Sequence, residues 1–184
     1  MRLLDLLLVS LAVGLTMFTT YALGGKDPAA AAAEEAPPRN PLFRSIVLHH
    51  SATDGGSAGA FERNHRTRLG GLAYHFIIGN GSGSPDGVVE TGYRWRDQIP
   101  GPHTKNQAVN QESIAVCLVG DLTAAPPTRR QVESLVGLLE RLCRENEIPA
   151  GRIYSHREVD PQTLCPGKDF PAADIRAALA RRLK

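Results

Sequence analysis

Four short apolar runs constrain this chain most: Ser45–His49, Ala73–Ile78, Ser113–Val119 and Ile153–Ser155, separated by segments of helical character. Each is bounded by turn-forming residues and is short enough to read as a buried strand. The second leads through a Gly-rich stretch, 79–87, into Val88-Val89-Glu90, and its Asp86-Gly87 pair is a hairpin signal. Between the strands, Phe61–Arg68 has helical composition and stops at Gly70-Gly71. Thr128 and Gln131 have capping-box spacing ahead of Val132, Leu135, Val136, Leu139, Leu142 and Cys143, whose three- and four-residue steps trace one apolar helix face. A last helix, Ala172–Leu183, turns Ile175, Leu179 and Leu183 inward. Strands alternating with helices predict an α/β fold of mixed α+β character, with a single central mixed β-sheet flanked by helices.

A chain of 184 residues, 42% hydrophobic, suffices for one packed domain, assigned to residues 42–184. The formal charge of +2 implies no nucleic-acid partner, while a pI near 8.5 suits work on an anionic polymer such as a cell wall. Three cysteines are an odd number and exclude a complete disulfide framework. Cys117, in a strand-like run, and Cys143, in a helical one, read as buried free thiols. Residues 1–23, with Arg2 ahead of an apolar stretch broken by Asp5, read as a signal peptide or a signal anchor. Export to the periplasm or the extracellular space follows either way, with membrane attachment through residues 3–23 if the segment is retained. Residues 24–41, rich in Ala, Pro and Gly, have the composition of a flexible tether.

The chemistry concentrates at strand ends. His49 closes the run Ile46-Val47-Leu48, and His156 follows Ile153-Tyr154-Ser155. Both imidazoles therefore stand where a buried strand runs out into a loop. Cys165 follows in the turn Leu164-Cys165-Pro166-Gly167, close enough in sequence to fold back beside His156. Any one of the three alone reads as a packing or surface residue. Together, two imidazoles and a thiolate make a three-ligand Zn2+ site with a fourth tetrahedral position open, the pattern of catalytic rather than structural zinc.

The segments Ile46–Thr53, Ala73–Ile78, Ser113–Gly120, Ser155–Val159 and Cys165–Gly167 resemble, in order, the type 2 N-acetylmuramoyl-L-alanine amidases, a family that includes phage amidase lysozymes and the peptidoglycan recognition proteins. The resemblance covers about residues 43–184. It implies zinc-dependent hydrolysis of the amide between the lactyl group of N-acetylmuramic acid and L-alanine of the stem peptide, with peptidoglycan or muropeptide fragments as partners; a monomer is expected. Tyr74 matches the family tyrosine near the metal and reads either as a donor to a tetrahedral oxyanion or as a core strand residue. Thr163 stands where phage amidases carry a lysine, as it does in catalytically competent recognition proteins. A hydroxyl there can donate to an oxyanion but supplies no full charge. His103 matches a substrate-groove histidine of the family, and Asn110 a family asparagine.

The remaining residues are read directly. Trp95 with Arg94 reads either as a sugar platform beside a carboxylate-binding guanidinium or as a packed tryptophan in a solvated loop. His50 and His75 face away from the stronger candidates if strand alternation holds, and His65 is a packing or capping residue. No carboxylate stands out as a general base, and the side on which Glu158 falls is open. The alternative function is a peptidoglycan-binding recognition module without catalysis. A third reading is a structural zinc site closed by His50 or His103.

Overall fold

The structure, a computed structural model, describes residues 40–184. The expected leader and nearly all of the tether lie outside these residues. Five strands form one sheet: β1 (Ser45–His50), β2 (Phe76–Ile78), β3 (Val89–Thr91), β4 (Ser113–Leu118) and β5 (Ile153–Ser155). Their order is β3-β2-β4-β1-β5, with β2 and β3 antiparallel and every other neighbour pair parallel. This is the mixed sheet that the apolar runs predict, and the Asp86-Gly87 hairpin joins its antiparallel pair. The helices are α1 (Ala58–Leu69), α2 (Tyr93–Arg96), α3 (Gln107–Glu112), α4 (Arg129–Asn146), α5 (His156–Val159) and α6 (Ala172–Arg182). Among the described residues, no helix is long and apolar enough to cross a membrane.

Alternation along the strands sorts the core onto two faces. Ile46, Leu48, Ile114, Val116, Leu118, Phe76 and Ile78 pack against Leu135, Leu139 and Leu142 of α4 and Ile175 and Leu179 of α6. Ile77 and Val119 on the other face pack with Phe61 of α1 and Leu72 in a smaller cluster. That second face is lined along β1 and β4 by the modest side chains Val47, Ala115 and Cys117. Bulk is thereby kept off the side on which His49 projects. Cys117, Cys143 and Cys165 are all buried free thiols.

Strand β2 begins three residues later than its apolar run, and His75 is the reason. Its backbone N–H reaches the Ala115 carbonyl at 2.9 Å, but its ring Nδ1 takes the Ala115 N–H at 2.9 Å. A side chain thus occupies the place of a ladder carbonyl.

The capping box of α4 is present as its spacing predicts. Thr128 Oγ1 accepts the Gln131 N–H at 3.0 Å, and Gln131 Oε1 accepts the Thr128 N–H at 3.1 Å. Gln131 Nε2 also donates to the carbonyls of Ile78 and Val119, at 3.1 and 2.8 Å, pinning the helix start to the sheet. The Thr128 hydroxyl donates to Asp86 Oδ1 at 2.5 Å. Thr128→Ala is expected to lower stability by about 1 kcal/mol or somewhat more, because cap and hairpin contact are lost together. Urea unfolding checks this as a lower midpoint at unchanged slope.

Candidate metal centre

Parallel register brings the two histidines together. Leu48 of β1 pairs with Ser155 of β5, so the next residues, His49 and His156, leave adjacent strands side by side at their C-terminal ends. Ring centroids are 4.6 Å apart. In open α/β sheets this end of the strands is where sites form. His156 opens α5, whose capping box ties Ser155 to Glu158: the Ser155 N–H and hydroxyl donate to Glu158 Oε2 at 2.6 and 2.8 Å. The Cys165 turn folds back onto α5 through a hydrogen bond from the Arg157 N–H to the Cys165 carbonyl, 2.9 Å. Gly167 completes the turn at φ +121°, where a side chain would overlap the Leu122 carbonyl.

One donor atom from each of His49, His156 and Cys165 lies within 4.8 Å of the others. Cys165 Sγ is 3.8 Å from His49 Nδ1 and accepts the His50 N–H at 3.3 Å. Burial holds His49 well below the ordinary histidine value, and the neighbouring His103, His156 and His50 rings push the same way. His156 is lowered by burial, then by His50 and Lys105, against an upward pull from Asp160. Both rings are thus neutral at neutral pH, the form that ligates. Burial pushes the Cys165 thiol up to about 12, and the His50 N–H opposes that shift. His156 Nε2 is buried with no hydrogen-bond partner. Two neutral imidazoles, a thiol that receives an N–H, and an orphaned ring nitrogen fit a zinc ion.

Tyr74 packs against His49, ring centroids 5.3 Å apart. Its hydroxyl is held well above the usual tyrosine value by burial, by the nearby Cys117 and Cys165, and by a hydrogen bond with the Cys117 thiol. It is therefore neutral and able to donate. Thr163 Oγ1 accepts the Cys165 N–H at 3.2 Å, which leaves its proton free to donate elsewhere. His50 Nδ1 accepts the Leu122 N–H at 3.0 Å, so this nitrogen is committed away from the cluster. His65 accepts the Ala73 N–H and stacks on Phe61, a packing role.

The structure turns all four substrate-side candidates, Trp95, Arg94, His103 and Asn110, inward. Trp95 is a core residue, stacked on Phe43 and tilted against Phe76, and leaves no ring face for a sugar. Arg94 is buried and donates to the carbonyls of Leu72 and Pro100, so its guanidinium binds backbone. His103 is buried: Gly101, whose missing side chain avoids the Ala73 carbonyl, lets the loop tuck inward. There His103 Nδ1 meets His49 Nε2 at 3.1 Å, and its Nε2 meets Ser113 Oγ at 3.1 Å. With both ring nitrogens so engaged, it does not close the zinc site as a fourth ligand. Asn110 is likewise buried, with its amide spent on Thr104. Glu158 is bound bidentately by Arg176 at 3.0 Å; burial raises its carboxyl, but Arg176 and Ser155 outweigh this and hold it below the ordinary value. It is a strut behind His156 rather than a base.

Sequence reasoning missed Ser113 and Cys117 as neighbours of the site. Their signal lay in the register, since Cys117 pairs with His49 across β4 and β1.

The fold is shared with known proteins. N-acetylmuramoyl-L-alanine amidase LysC from Clostridium intestinale superposes with a TM-score of 0.64 at 28% identity, over 78% of this chain and 91% of that one. The ectodomain complex of the peptidoglycan recognition proteins LCa and LCx bound to tracheal cytotoxin gives 0.59 at 26% identity, over 72% and 80%. An uncharacterised protein of Haemophilus influenzae is 37% identical over 103 residues, 49% of this chain and 84% of that one. The sequence model of one family matches residues 38–168, and it spans both histidines, the cysteine and the strands that carry them; the chain belongs to the N-acetylmuramoyl-L-alanine amidase family.

Proposed function

We propose that this protein is a zinc-dependent amidase that cleaves the bond between N-acetylmuramic acid and L-alanine of the peptidoglycan stem peptide, in wall turnover or lysis outside the cytoplasmic membrane. The observation that carries this reading is the complete trio His49, His156 and Cys165, gathered at the strand ends with its donor atoms facing one another. A zinc ion held there supplies Lewis acidity, the means to polarise an amide carbonyl and to make a water nucleophilic near neutral pH. Tyr74, kept neutral by burial, donates its hydroxyl proton toward the oxygen that gains charge during attack. Thr163 is a second donor at the rim, next to the ligand whose N–H it already holds. The absent lysine leaves charge neutralisation to the metal. The structural likeness to a recognition complex carrying tracheal cytotoxin supports a muropeptide-type ligand.

Mass spectrometry of muropeptides incubated with the zinc-loaded chain tests the proposal. Release of stem peptides bearing a new L-alanine amino terminus is the expected result. Fragments that bind but stay intact would instead make this a recognition module.

A further inference from the structure

A line of buried hydrogen bonds runs away from the metal trio on the side opposite Cys165. Ser113 opens β4 and is fully buried; its hydroxyl lies 2.5 Å from the Val109 carbonyl in α3. A carbonyl only accepts, so the single hydroxyl proton of Ser113 points there. Toward His103 Nε2, at 3.1 Å, Ser113 Oγ can then only accept, which places the proton of the neutral His103 ring on Nε2. Its Nδ1 is left bare. That bare nitrogen sits 3.1 Å from His49 Nε2, so His49 carries its proton on Nε2, and its Nδ1 faces Cys165 Sγ as a free lone pair.

We propose that His103 and Ser113 are positioning residues that lock the tautomer and ring orientation of His49, so that Nδ1 is presented to the metal. The inference rests on the zinc reading of the trio. The chain of acceptors is itself braced. Asn110, also in α3, accepts from the Thr104 N–H and hydroxyl and donates to the Thr104 carbonyl, each at 2.9 Å. The residue after His103 is therefore clamped to the helix whose Val109 carbonyl ends the line. Metal-bound histidines commonly depend on such an outer partner at the second ring nitrogen, and its loss weakens metal affinity about 10- to 100-fold. The partner here is another histidine, whose own orientation is set by a serine two steps from the metal. The reversed direction would need Ser113 to donate to His103, leaving its oxygen 2.5 Å from the Val109 oxygen with no proton between them.

Nitrogen-15 NMR of the full metal-free chain reads the tautomers directly. Protonated-type signals at Nε2 and unprotonated-type signals at Nδ1 are expected for both His49 and His103, and the reverse pattern at either ring would overturn the proposal. This outcome does not depend on hydrolysis or on zinc, so it stands apart from the fate of the amidase reading. In chelator competition, His103→Leu is expected to weaken zinc binding about 10- to 100-fold. His103→Asn, whose amide oxygen can stand near the place of Nδ1, restores a substantial part of that loss. Ser113→Thr keeps the hydroxyl and stays near wild type, whereas Ser113→Ala falls between wild type and His103→Leu. Equal zinc affinity in wild type and in a folded His103→Leu variant would also sink the idea.

Discussion

On the proposed function, Cys165→Ser is expected to abolish muropeptide hydrolysis, by about three orders of magnitude or more, because it would remove several kcal/mol of metal-supplied transition-state stabilisation while leaving the fold in place. Serine matches cysteine in shape, its hydroxyl oxygen can accept the His50 N–H that the sulfur takes, and the surrounding turn is further held by the Arg157 N–H, Thr163 and Gly167. Its hydroxyl, unlike a thiol, does not ionise to a good zinc ligand. A second readout follows from the protons. In the metal-free protein the two histidines are already neutral, whereas burial keeps the Cys165 thiol protonated with a pKa of about 12. Zinc uptake by the wild type therefore releases one proton from the trio, and affinity rises about tenfold per pH unit through the neutral range. The serine variant releases none from this position and loses the slope. Proton release in weakly buffered solution, followed beside hydrolysis, checks both. A serine variant that keeps a tenth of wild-type turnover would refute the assignment of Cys165 as ligand.

The trio was legible in sequence because strand ends are. His49 and His156 each close an apolar run, and only the pairing of Leu48 with Ser155 had to be added to make them neighbours. Cys165 was legible from its Pro- and Gly-flanked turn. The substrate candidates were harder because their environments are set by distant chain. Trp95 and Arg94 lie in a four-residue helix, too short for periodicity to show which side is inward. His103 sits in a Gly-Pro loop, a context that suggests exposure, yet the missing side chain at Gly101 lets it tuck in behind His49. Glu158 carried a readable signal, since Ser155 and Glu158 have capping-box spacing. Whether the strand ran on past Ser155 was open in the sequence, which left the side of Glu158 undecided; the chain turns helical at His156.

His75 carries the largest expected effect on stability. It is fully buried; Nδ1 accepts the Ala115 N–H at 2.9 Å, and Nε2 donates to the Ile99 carbonyl at 3.1 Å. Burial lowers its pKa to about 3, opposed by the Ile99 carbonyl and reinforced by Arg94. The unfolded chain titrates this ring near 6.5, so between about 6.5 and about 3 the unfolded state binds a proton that the native state refuses. Its contribution is whole above 6.5 and is lost as pH falls, at about 1.4 kcal/mol per pH unit once well below 6.5. His75→Leu leaves the Ala115 N–H and the Ile99 carbonyl unpaired and is expected to cost about 2–4 kcal/mol at pH 7. The variant lacks the titrating group, so its acid sensitivity is shallower. The two stability curves should therefore converge on acidification and meet about two pH units below 6.5, where the accumulated proton penalty of the wild type equals the variant's loss of hydrogen bonds. Denaturant unfolding at several pH values, with a chelator present to keep the metal ligands out of the comparison, measures the gap. Common contributions from the other histidines and the carboxylates cancel in that difference. Curves that stay parallel from pH 7 to pH 4 would mean that His75 is protonated in the native state, and its hydrogen bond from Ala115 would have to be redrawn.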